Sequence, residues 1–185
     1  MEFDDSSEKS LPLFPLNTVL LPGQVMPLHI FENRYKQLIS DLLAMPETEQ
    51  KFGIVAITAE SGIEGGIPKL AEVGTFAHLR KTTKANDGTF DIVVIGGERF
   101  DITRVSELRA PYLVADINSR PEIHPDFDED TLEAAKEKCI DFMMMFDADN
   151  DNAVEKLPND PSALSFLIAG FLPLSSIEQQ KILEI

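Results

Sequence analysis

Residues 11–43 read LPLFPLNTVLLPGQVMPLHIFENRYKQLISDLL, and the rest of the chain is organised around them. Three short apolar runs come first: Leu13, Phe14 and Leu16, then Val19 to Leu21, then Val25, Met26, Leu28 and Ile30. Pro22-Gly23 between the second and third predicts a turn, because proline presets φ at the second turn position and glycine accepts the positive φ that follows. Pro27 cannot donate to a strand ladder, so the third run belongs at a sheet edge or on a bulge. From Glu32 the period changes. Phe31, Tyr35, Leu38, Ile39, Leu42 and Leu43 recur with the spacing of one helical face, and Glu32 suits the positive end of the helix dipole.

Outward from this stretch, residues 1–10 are polar and acidic and read as a disordered tail. Their acidity is the reverse of a secretory signal's basic start. Phe52 to Ile57 is an unbroken apolar run, short enough for a strand buried on both faces. Ser61 to Pro68 is a glycine-rich loop. Val73 to Thr82 and Phe90 to Ile95 read as a hairpin turned at Asn86-Asp87-Gly88. Gly96-Gly97 predicts a bulge or corner, with Phe100, Ile102 and Val105 on a further strand. Tyr112 to Ile117 alternates and makes the last strand. Short strands, glycine turns and one early helix over 11–120 imply a small, partly closed β-barrel.

Ser119 to Pro125 is a linker, and residues 121–185 read as a helical subdomain. Leu132, Ala135, Lys136, Cys139, Phe142, Met143 and Phe146 mark one side of a helix from about Asp128 to Phe146. A second helix starts at Pro161 with Asp160 as its cap, carries Leu164, Leu167, Ile168, Phe171 and Leu172, and ends at Pro173. Ser175 and Glu178 form a capping box that opens a third. The fold class is α+β: a barrel with one early helix, then a C-terminal helical subdomain.

The order of these motifs resembles the amino-terminal domain of Lon, the ATP-dependent protease La. The shared features are Leu11-Pro12-Leu13-Phe14-Pro15-Leu16, the Pro22-Gly23 turn, Pro27 to Glu32, Arg34-Tyr35, Val73-Gly74-Thr75, Asp87-Gly88-Thr89 and Gly97-Glu98-Arg99-Phe100. Asn33 departs from the family, which often has proline there. The resemblance runs from Leu11 to Ile185. It implies a barrel related to PUA-type domains and a role in substrate recognition and assembly.

Lon couples that domain to an ATPase and a serine-lysine protease, and this sequence carries no motif of either. A phosphate loop needs G-x-x-x-x-G-K-[ST], and the sequence has no Gly-Lys pair. It has no G-x-S-x-G elbow and no H-E-x-x-H. His29, His78 and His124 lack metal-ligand spacing. Asp126, Asp128, Asp130 and Glu137 mimic an EF-hand loop, but Thr131 replaces its glycine; Asp147, Asp149 and Asp151 are followed by Pro158 where a glutamate belongs. No cofactor, metal or catalytic residue is expected.

A formal net charge of -16 opposes binding to nucleic acid and anionic membranes. No apolar run reaches the roughly 18 residues of a membrane span. Cys139 is the single cysteine, which excludes an internal disulfide and fits a cytoplasmic protein. Arg80, Lys81 and Lys84 form one basic cluster without interleaved aromatics. Phe142, Met143, Met144, Met145 and Phe146 place five apolar residues in succession, enough to cover a helix all round. These five are the candidate polypeptide-binding residues, because methionine surfaces adapt to varied apolar segments. The reading is a non-catalytic polypeptide-recognition module, whose partners are unfolded or apolar segments, a protease, or a second copy. The alternatives are a fragment of, or accessory to, an ATP-dependent serine protease, and a PUA-like RNA-binding domain.

Overall fold

Strands β1 (Lys9–Leu16), β2 (Val25–Ile30), β3 (Lys51–Ala56), β4 (Val73–Lys84), β5 (Phe90–Ser106) and β6 (Val114–Arg120) form one sheet in the order β2-β5-β4-β3-β1-β6. A computed structural model describes residues 9–58, 68–122, 128–144 and 157–185. β5 also pairs with β6, so β5, β4, β3, β1 and β6 close into a ring, and β2 hangs on the first half of β5. Pro27 therefore sits in a strand paired on one side. β1 and β3 run parallel, joined through β2 and helix α1 (Asn33–Leu43). Helices α2 (Glu129–Met144), α3 (Pro161–Phe171) and α4 (Ser176–Glu184) follow the sheet.

The core has two clusters, which explains why FGIVAI is apolar without alternation. Side chains alternate across a strand, so Phe52 and Ile54 join the cluster under α1, with Tyr35, Leu38, Ile39 and Leu42. Val55 joins the other, where Leu13, Phe100 and Ile117 meet Phe166 and Ala169 of α3 and Leu183 of α4. Each face of the ring is thus covered by helices.

The expected turns form as the residues dictate. Gly23 and Gly88 take φ values of 77° and 82°. Gln24 N donates to the Leu21 carbonyl oxygen across Pro22-Gly23 (3.0 Å), and the Asp87 carboxylate accepts from the Thr89 amide (3.0 Å). The Asp160 carboxylate caps α3 by accepting from Ala163 N (2.8 Å), and Ser175 and Glu178 cap α4 reciprocally.

Several boundaries differ from the sequence reading. β1 takes in Lys9 and Ser10, which composition assigns to the tail, because they pair with Ile117 and Asp116 of β6; residues 1–8 lie outside the described residues. Gly96-Gly97 does not separate two strands. β5 runs through, with a register shift between the pairs Thr75–Arg99 and Ala77–Gly96 that bends it. β6 starts at Val114 and continues through Ser119 and Arg120, which pair with Phe100 and Arg99, so the linker begins later than Ser119. Phe31 stays exposed at 65%, stacked on His29, because it precedes the first helical turn and lies off the buried stripe. The buried face of α3 is Leu164, Phe166 and Ala169, rotated from the predicted stripe, and Phe171 and Leu172 are exposed. The expected 61–68 loop lies largely outside the described residues.

Candidate functional site

The Pro22-Gly23 turn and α3 face each other across an apolar groove of about 490 Å3. One wall is Pro22 to Val25; the other is Ala163, Phe166, Leu167, Gly170 and Phe171, with Pro158 at one end. The α3 residues are spaced i, i+3, i+4, i+7 and i+8, a single helical face. Val25 is 59% exposed and Phe171 46% exposed, so the groove presents apolar surface to solvent rather than filling itself.

The turn wall is fixed by backbone contact. Gly23 N donates to the Gly96 carbonyl oxygen (2.8 Å), and Gly96 N donates to the Gln24 carbonyl oxygen (2.9 Å). Gln24 Oε1 accepts from Leu21 N (3.0 Å). A Cβ at residue 96 would stand 2.2 Å from the Leu21 carbonyl oxygen, so the approach requires glycine there. The α3 wall is fixed at its start by the Asp160 cap and Pro161. Behind α3, Arg99 donates two hydrogen bonds to the Glu122 carboxylate (3.0 Å each) and one to the Leu183 carbonyl oxygen (2.9 Å). Its guanidinium lies 5.3 Å from the Phe166 ring centroid.

Among the described residues, the groove lining has no ionisable side chain, thiol or hydroxyl. It offers apolar contact and a helix face, the chemistry of holding an apolar segment. Among the described residues no group of three or more His, Cys, Asp or Glu could hold a metal ion, and no helix is long and apolar enough to cross a membrane.

Of the sequence-selected residues, Phe142 is half-buried near the end of α2 and Met144 is 47% exposed. Met143 lies in the same last turn, while Met145 and Phe146 fall outside the described residues. Cys139 is buried on the inner side, and burial pushes its thiol pKa up. His29 Nδ1 meets Asp91 Oδ1 at 2.7 Å, a cross-strand pair on the surface. His78 is half-buried beside Glu98 (3.9 Å), and His124 is outside the described residues. Asp128 and Asp130 flank the start of α2, Asp128 accepting from the Asp130 amide (3.3 Å); Asp126 and residues 147, 149 and 151 lie outside the described residues. Arg80, Lys81 and Lys84 are exposed along the end of β4. The groove is absent from the sequence reading. Its one available signal was that SALSFLIAGF is apolar on more than one face, which calls for more than one apolar neighbour.

A partly closed, mixed six-stranded sheet with helices on both faces defines an α+β domain. The chain belongs to the Lon substrate-binding domain family: the family model for the ATP-dependent protease La (LON) substrate-binding domain matches residues 10–185. Among curated relatives, the Lon protease of Flavobacterium johnsoniae is 28% identical over 160 residues, covering 86% of this chain and 18% of its own length. Lon protease 2 of Herpetosiphon aurantiacus is 30% identical over 193 residues, covering 100% of this chain and 23% of its own. The chain thus spans about a fifth of the length of the curated relatives it matches. The crystal structure of a Lon N-terminal domain protein from Xanthomonas campestris aligns with a TM-score of 0.66 at 26% identity, covering 96% of this chain and 90% of that one. The N-terminal domain of a Mycobacterium avium complex Lon protease aligns at 0.68 and 19% identity, a likeness of fold.

Proposed function

We propose that this chain is a non-catalytic polypeptide-recognition module that captures unfolded or apolar segments in the groove between the Pro22-Gly23 turn and α3. The observation that carries the reading is that groove: apolar, open, and framed by two walls each held in place from behind. Membership of a substrate-binding family supports the same class of ligand. A second surface is proposed at the end of α2, where Phe142, Met143 and Met144 lead into Met145 and Phe146; the exposure of Met144 supports it. The partner is an apolar segment presented by a client, with a protease or a second copy of the chain as further candidates, and the setting is the cytoplasm.

The test is the affinity of a fluorescently labelled unfolded polypeptide for wild type, Val25→Asp and Leu167→Asp, with circular dichroism to check folding. A carboxylate in an apolar contact must be desolvated, so each substitution is expected to weaken binding about tenfold or more. Unchanged affinity in both variants would overturn the groove. The same protein is expected neither to bind ATP tightly nor to degrade casein; ATP-dependent proteolysis by this chain alone would overturn the non-catalytic reading.

A further inference from the structure

The two walls of the groove hang from one strand, three residues apart. Gly96 of β5 holds the Pro22-Gly23 turn through two backbone hydrogen bonds, and Arg99 of β5 holds the helices. Arg99 is 3% exposed, and each of its three nitrogens donates: Nε and Nη2 to the two oxygens of Glu122, Nη1 to the last turn of α4. Ser162 Oγ, in the first turn of α3, donates to the same Glu122 carboxylate (3.0 Å). The next residue, Ala163, lines the groove, and Phe166 lies both in the groove wall and against the Arg99 guanidinium. One ion pair, its arginine buried and its glutamate partly exposed, therefore touches α3 at its start and at its middle. Such a pair contributes little net stability over apolar packing, but its bidentate geometry fixes relative position.

We infer that the Arg99–Glu122 pair sets the position of α3 and so the width of the groove, which makes Arg99 a positioning residue for capture of apolar segments; this rests on the groove being the binding site. Arg99 does not touch the segment. It acts through Ser162 and Phe166.

The experiment is a double-mutant cycle read by the affinity of a fluorescein-labelled apolar peptide. Glu122→Gln is isosteric and removes the charge that holds Arg99; Arg99→Met removes the guanidinium, and should it fail to fold, Glu122→Gln carries the test. Each is made alone and in the Leu167→Asp background. Because coupled neighbours depart from additivity, a loss of about tenfold is expected in the wild-type groove, falling to less than about twofold when Leu167→Asp has already spoiled the wall. Unchanged affinity in folded Glu122→Gln, or equal losses in the two backgrounds, would overturn the positioning role and leave the groove standing. No effect of Val25→Asp and none of Leu167→Asp would overturn the groove and the inference with it.

Discussion

Phe100 and Gly74 face each other across the β5–β4 ladder, and the Phe100 ring occupies the space that a side chain at 74 would need. A Cβ there would stand 2.5 Å from Phe100 Cζ and 2.8 Å from the Ile54 carbonyl oxygen. The same ring covers Gly53 of β3 (2.6 Å) and meets Phe76 edge-on with centroids 5.1 Å apart. The Phe100 ring thus lies over two glycines, one on β3 and one on β4. Gly74→Ala is expected to destabilise the fold by about 1–3 kcal/mol, the usual cost of overpacking where backbone cannot yield. Urea denaturation measures it; a change under about half a kcal/mol would show that the sheet accommodates the methyl.

Asp160 caps α3 at 2.8 Å from Ala163 N, beside the groove. Asp160→Ala removes that acceptor and is expected to cost about 1 kcal/mol, whereas Asp160→Ser should retain most of it. Thermal melts of the two variants separate a capping role from a purely electrostatic one, since serine keeps the oxygen and loses the charge.

His78 supplies the pH dependence. Burial lowers its imidazole pKa below the ordinary 6.5, while the Glu98 carboxylate opposes the shift. Between the lowered and the ordinary value the unfolded chain binds more protons than the folded one, so stability rises with pH there. The contribution of His78 is present above 6.5 and is lost as pH falls through the folded value. Melting temperatures of wild type and His78→Gln at pH 8 and pH 5 test the sign: wild type should lose more than the variant on acidification. A gap that stays constant would dissociate His78 from the acid response.

Met144 is half-exposed on the outer side of α2, away from buried Cys139. An exposed position tolerates a charge within about 0.5 kcal/mol, so Met144→Asp is expected to leave the melting temperature nearly unchanged while weakening capture of unfolded polypeptide. A large fall in melting temperature would assign the residue to internal packing instead.

Arg80, Lys81 and Lys84 are exposed, yet they stand on a chain of net charge -16. Binding to generic RNA is expected to be negligible at physiological salt, because phosphate contacts need clustered cations to release counterions. Submicromolar affinity in a salt titration, lost on replacing the three residues, would favour the RNA-binding alternative.

Local chemistry by itself determined the elements of this protein. Pro22-Gly23, Asn86-Asp87-Gly88, Asp160-Pro161 and Ser175 with Glu178 fix turns and caps through φ preferences and short-range hydrogen bonds, and these are legible residue by residue. The early helix follows from apolar periodicity and the doubly buried β3 from a short unbroken apolar run, and the family motifs follow from the order of those signals. The tertiary structure decided what depends on residues distant in sequence. Lys9 and Ser10 are strand because β6 lies beside them; β5 runs through Gly96-Gly97 because β4 pairs with it on both sides of the glycines, while β2 flanks its first half and β6 its second. The helix α3 turns Phe166 inward because buried Arg99, 67 positions earlier in the chain, lies against that ring, and its other face meets the Pro22-Gly23 turn. No local periodicity encodes which of two apolar helix faces meets the core and which stays open, because that choice belongs to the partner surfaces. The groove exists where those two separately specified pieces come together.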